Sequence, residues 1–191
     1  IGLPMVERAS PRDNLLLHGL PDDAYRRIER DLSPHDFALG EALDHATGDI
    51  DRFYFIVSGL VSIIHSSEDG HTTEVAVVGS EGGLGVTLVL ARHPLPVEAV
   101  VQAPGSAWCL SPDHLRREFA RGGALQRNLL AYIQALMAQM TQTIVCNRHH
   151  TVDQQLCRWL LLSLDRVPGN DLHMTQDTIA NMLGVRRVGV T

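Results

Sequence analysis

The sequence predicts an α+β fold, and three observations carry that prediction. Short β-type apolar runs crowd the stretch from residue 36 to residue 110. An apolar heptad pattern follows it. Capped helical segments close the chain. With 191 residues, 45% of them apolar and 20% charged, the composition is globular. A chain of that length buries roughly 70% of its unfolded surface.

Residues 12–31 carry helical spacing: Leu15, Leu16 and Leu17, then Pro21-Asp22-Asp23 as a start signal, then Tyr25, Ile28 and Leu32. Phe53–Val57, Leu60–Ile64 and Val75–Val78 read as strands. Ser58-Gly59, Asp69-Gly70 and Gly79 punctuate them. Ala99–Ala103 and Ala107–Leu110, flanking Pro104-Gly105, read as a hairpin. Closely spaced short strands suggest a barrel or sandwich.

Ser111-Pro112-Asp113 is an N-cap with proline at the first helical position and an early acid. After Gly122-Gly123, Leu130, Ile133, Met137, Met140 and Ile144 step by 3, 4, 3 and 4 residues, a heptad seam. Leu125, Leu129, Tyr132 and Leu136 form a second stripe beside it. A helix with two apolar stripes has two surfaces to cover. One is expected to meet the β domain, and the seam a partner helix in a homodimer. Thr151-Val152-Asp153-Gln154 is a capping box. The helix it opens carries Val152, Leu156, Trp159, Leu160 and Leu164 and stops near Val167-Pro168-Gly169.

The net charge of −6 argues against a protein that coats nucleic acid along its whole surface. The charge is uneven: −7 over residues 1–146 and +1 over residues 147–191. Cys109, Cys146 and Cys157 are too few and too scattered for a disulfide framework, so the expectation is buried apolar cysteines and a reducing cytoplasm. No apolar run approaches the ~18 residues of a membrane span, and no signal segment opens the chain. An enzyme is not expected. Val78-Gly79-Ser80-Glu81-Gly82 is one residue short of a nucleophile elbow, there is no His-Glu-x-x-His, and the acids are scattered.

The last residues carry the strongest functional signal. Thr175 caps a short helix with Ile179, Ala180, Met182 and Leu183 facing inward. Gly184 makes a turn, and a second helix starts at Val185 or Arg186. Small Ala180 permits close helix approach, Gly184 permits positive φ, and Arg186-Arg187 opens the second helix. This is a helix-turn-helix pattern.

With these residues in view, the chain resembles the Crp/Fnr family of bacterial transcription regulators over nearly its whole length. Tyr54–Val61 is similar to the family's effector-domain strand and turn. Asp69-Gly70 with Glu74-Val75-Ala76 is similar to the next hairpin, and residues 175–191 to the helix-turn-helix. The resemblance implies an N-terminal double-stranded, jelly-roll-like β-helix at residues 1–119 and a dimerisation helix at 120–147. It also implies a winged helix-turn-helix at 148–191 whose wing would lie beyond Thr191. It further implies a cytoplasmic homodimer on a pseudo-palindromic double-stranded DNA site, RNA polymerase as a contact, and a small-molecule effector of unknown identity.

By that resemblance Arg187 grips a guanine edge, a match that guanidinium makes bidentately. Val188 replaces the glutamate of cyclic-AMP-responsive members, which implies a different half-site. Thr175 and Gln176 are candidates for phosphate contact at a helix N-terminus, Arg186 for phosphate or base, and Thr191 lies in the same recognition helix.

The family's phosphate cassette aligns poorly. Gly85 matches its glycine, but Val86 stands where an acid holds the ribose. Ala99 matches its small residue, but Glu98 stands where an arginine holds the phosphate. Like charges repel, so cyclic AMP is disfavoured. Glu81 and Arg92 are candidate substitutes, and the Gly79–Gly85 run, with Gly82, is a weak phosphate signal. No cofactor or metal is expected. The cysteine cluster of iron–sulfur members is absent before Cys109, and His65, His71, His149 and His150 read as solvated. The alternative to a DNA-binding regulator is a sensory or protein-interaction β module without sequence-specific DNA binding.

Overall fold

The computed structural model describes residues 9–44, 51–67, 72–90, 95–167, 172 and 175–183. Asp69-Gly70, Arg92, and Gly184 to Thr191 with Arg186, Arg187 and Val188 lie outside the described residues.

The fold is α+β. Two short helices, α1 (Leu15–His18) and α2 (Asp22–Glu29), precede β1 (Ser33–Phe37), β2 (Ala42–Asp44), β3 (Phe53–Ser66), β4 (Thr72–Val78), β5 (Gly83–Leu84) and β6 (Glu98–Leu110). Helices α3 (Pro112–Ala120), α4 (Ala124–His149), α5 (Val152–Leu164) and α6 (Gln176–Leu183) follow. All strand pairs are antiparallel, in the order β1-β6-β3-β4, with β2 also on β6 and β5 also on β3.

The expected break at Ser58-Gly59 and the expected hairpin at Pro104-Gly105 are corrected. β3 and β6 each run unbroken through these positions and pair with each other, Phe53 opposite Leu110 and Ile64 opposite Glu98. The pairing shifts register three times between Ile56 and Val61. Gly59 has φ 88°, and a Cβ built on Gly105 would lie 2.7 Å from the Gly59 Cα. The two glycines therefore let both strands bend together. β1 and β2 escaped the sequence reading. Pro34 cannot donate to a ladder, and it is tolerated because, among the described residues, β1 is an edge strand paired with β6 alone.

Asn14 ties α1 to the sheet. Its Oδ1 accepts from the Leu16 and Leu17 amides, and its Nδ2 donates to the Ile56 and Gly82 carbonyls, both at 2.7 Å. The main core unites Leu17, Ile28, Phe53, Phe55, Leu110, Leu115 and the α4 residues Leu125, Leu129, Tyr132 and Leu136. The second α4 stripe thus meets the β domain, as the sequence predicts.

α5 begins at the Thr151 capping box, with both reciprocal hydrogen bonds formed. Ser111 takes the N-cap position of α3, with Pro112 and Asp113 in the first turn as expected, but its hydroxyl meets the His114 ring rather than a backbone amide. Cys109 and Cys146 are buried, whereas Cys157 is exposed, against expectation, because it lies on the solvent face of α5. Among the described residues α4 is, by length and composition, apolar enough to cross a membrane. Its apolarity is the sum of two stripes, and the buried one is spent on the sheet.

Candidate effector site

The glycine-rich turn after β4 is filled by the protein itself. A Cβ on Gly82 would sit 2.2 Å from the Tyr132 ring, and one on Gly83 2.3 Å from the Tyr54 carbonyl. Tyr132 donates its hydroxyl to the Gly83 carbonyl at 2.9 Å, and burial raises its pKa. These glycines serve close packing between the turn, β3 and α4. Gly85 has φ 99° and caps a 3-10 turn, Val86–Leu88. Val86 is partly buried and packs against the main core.

Glu81 does not stand free for a ligand. Its carboxylate accepts from Arg166 Nε at 2.6 Å, just past the end of α5. Arg166 Nη1 also donates to the Leu162 carbonyl, and its side chain is largely buried. This pair closes one end of a groove of ≈ 540 Å³ between α1, α4 and β4. Leu15, Leu16, Ala131, Ala135 and Leu136 line it. Its amides are already engaged: Asn128 donates to the Leu16 carbonyl, and Gln139 bonds both backbone groups of Val77.

The cassette candidates are split between two faces. Ala99 is buried in the main core, as strand alternation requires once its neighbour Glu98 faces the other way. Glu98 lines a second groove, ≈ 390 Å³, shared with Ile64, Thr175, Thr178 and Met182. A sequence-predicted effector residue and a sequence-predicted DNA contact thus share one groove. Thr175 caps α6 through the Thr178 amide at 3.1 Å. Thr175 and Gln176 are exposed.

In the sequence Glu74 and Trp159 carry no site role, only a place in a hairpin and on a helix stripe, and Arg166 is not singled out. β4 carries one extra residue, Val75, between Glu74 (opposite Ile64) and Ala76 (opposite Ile63). This bulge turns Glu74 away from the core side occupied by Ala76. Glu74 is 7% exposed and accepts from the Ser62 hydroxyl. Burial pushes its pKa up to about 7, against the opposing pull of Ser62, Trp159, Arg158 and Arg166. Trp159 Nε1 is buried and makes no hydrogen bond of regular geometry. Around it Trp159, Met182 and Leu183 form a second core, with Ile64 of β3 packed against it. An acid in a strand ordinarily signals a solvent face. The signal available was the mismatch between Glu74 and the apolar residues around it.

The α4 seam is open at three of its five positions, and Met140 packs against the main core. Leu130 is 47% exposed, Met137 63% and Ile144 69%, while Ile133 and Met140 are half-buried. Among the described residues no cluster of His, Cys, Asp and Glu could hold a metal.

No curated protein matches the chain in sequence. Solved structures share its fold. A protein from Eubacterium rectale assigned to the Crp/Fnr family of transcriptional regulators superposes with a TM-score of 0.77 at 15% identity, covering 92% of this chain and 82% of that one. The c-di-GMP-responsive global regulator CLP of Xanthomonas campestris gives 0.69 at 16%, over 89% and 88%. FixK2 of Bradyrhizobium japonicum gives 0.70 at 16%, over 83% and 80%. Residues 34–121, from β1 to the end of α3, match the family model of the cyclic nucleotide-binding domain.

Proposed function

We propose that the chain is a transcription regulator of the Crp/Fnr type, a homodimer that binds double-stranded DNA and answers to an effector other than cyclic AMP or cyclic GMP. The observation that carries this reading is the open heptad seam of α4, set directly before the capped helices α5 and α6. An exposed Leu130, Met137 and Ile144 on one helix stripe suit a symmetric helix pair. The helix-turn-helix signal of residues 175–191 supplies one DNA-reading unit per subunit. The effector domain offers a cyclic nucleotide little. Val86 is packed on the core, Glu81 is paired with Arg166, and Glu98 faces α6.

Binding to a cognate duplex and a single-base variant across a salt series tests the reading. Arg187→Ala should cost ~1–3 kcal/mol on the cognate duplex alone. Arg186→Ala should weaken both duplexes equally and flatten the salt slope, because one phosphate contact is lost. Equal losses on both duplexes for Arg187→Ala would contradict the assignment.

A further inference from the structure

We propose that Glu74 is the trigger of a proton-operated clasp, which holds α5 and α6 against the outer face of the β3–β4 hairpin while Glu74 is protonated and releases them when it ionises. The clasp itself is a statement about docking; only its consequence for DNA rests on the function proposed above.

The clasp has three parts. Ile64 packs into the Trp159–Met182–Leu183 core, an apolar contact between the sheet and both helices. The Arg166–Glu81 ion pair fastens the end of α5 to the turn after β4. Between them lies Glu74, turned outward by the Val75 bulge and sealed beneath Trp159. The first two parts are an apolar cluster and an arginine–carboxylate pair; Glu74 is the buried carboxyl between them.

Among the described residues the groups facing Glu74 are these. From α5 they are Arg158 and Arg166, and from β3 Ser62. Arg166 is already committed to Glu81. From α4 the group on β4 is the neutral amide of Gln139. From α6, Thr175, Thr178 and Met182 face the sheet without charge, and Glu98 sits across β3 in the same row as Glu74. Burial outweighs both arginines, so the covered carboxyl titrates at about 7 instead of 4.5.

The sign follows from linkage. A carboxyl with a raised pKa in the docked form makes docking free of penalty at low pH. The penalty grows as pH rises from 4.5 and is complete above about 7. Docking is then about tenfold less favourable at pH 8 than at pH 6. Release also separates Thr175, exposed already, from the carboxylate of Glu98 with which it lines a groove. Rising pH therefore removes that negative charge from beside the N-terminus of α6.

The test uses the full chain carrying Trp108→Phe, so that Trp159 is the sole tryptophan. Acrylamide quenching of Trp159 should rise between pH 6 and pH 8, and Glu74→Gln should stay at the pH 6 level throughout. A flat wild-type profile, or a Glu74→Gln protein that still opens, would overturn the clasp. Should Glu74→Gln fail to fold by circular dichroism, Glu74→Met serves in its place. X-ray scattering of the unmodified chain gives a second readout: a larger radius of gyration at pH 8 is expected, and an unchanged one contradicts the proposal. A quenching transition without DNA binding at any pH would leave the clasp standing and overturn the DNA reading.

Discussion

Asn14 shows what a single buried side chain does here. It caps α1, and it satisfies carbonyls of β3 and of the turn after β4. Asn14→Ala should destabilise the fold by about 3 kcal/mol, the loss of a cap plus buried carbonyls left without donors. Urea unfolding measures it, and a loss no larger than that of a surface substitution would show the contact is dispensable. Gly82 makes the converse case, where an added atom is the fault. Gly82→Ala drives a Cβ into the Tyr132 ring and should cost ~1–3 kcal/mol. Tyr132→Leu in the same chain should recover part of that loss in thermal melts; no recovery would place the strain elsewhere. Neither role was legible in the sequence. Asn14 precedes three leucines as any cap would, and the glycine run resembled a phosphate loop. Glu74 showed in the sequence only as an acid among apolar residues, because the Val75 bulge that sends it under α5 leaves no pattern of its own in a seven-residue strand.

At the scale of elements, the helices were legible and the long strands were not. Caps and heptad spacing are local, so Thr151, Thr175 and the Leu130–Ile144 seam could be read without the fold. The bends in β3 and β6 are not local. Gly59 and Gly105 look like turns until the two strands are set side by side, where each glycine makes room for the other. The helix seam gives the sharpest prediction at this scale. Ile133→Glu with Met137→Glu places two charges on the stripe while sparing Leu125, Leu129 and Leu136 on the core face. Light scattering should then report monomers with an intact thermal transition. A dimer that survives both charges would mean the seam is not the interface.

For the whole molecule, the β domain packs against the helices α5 and α6, the two joined through Ile64, Glu74 and Glu81. The order of strand runs, long helix and capped helices was visible in the sequence; the contact between the turn after β4 and the end of α5 was not, because it joins residues such as Glu81 and Arg166 that are far apart in the chain. Calorimetry with cyclic AMP and cyclic GMP should show no binding, since among the described residues no arginine takes the cassette position held by Glu98. A micromolar Kd for either nucleotide would reverse that conclusion. Selecting duplexes from a random library with this protein at pH 8 tests most directly whether a dimer of it reads DNA. Enrichment of a pseudo-palindrome with half-sites about one helical turn, ~34 Å, apart is expected. Recovery of no sequence above the unselected library, from a protein that is folded and dimeric, would contradict it.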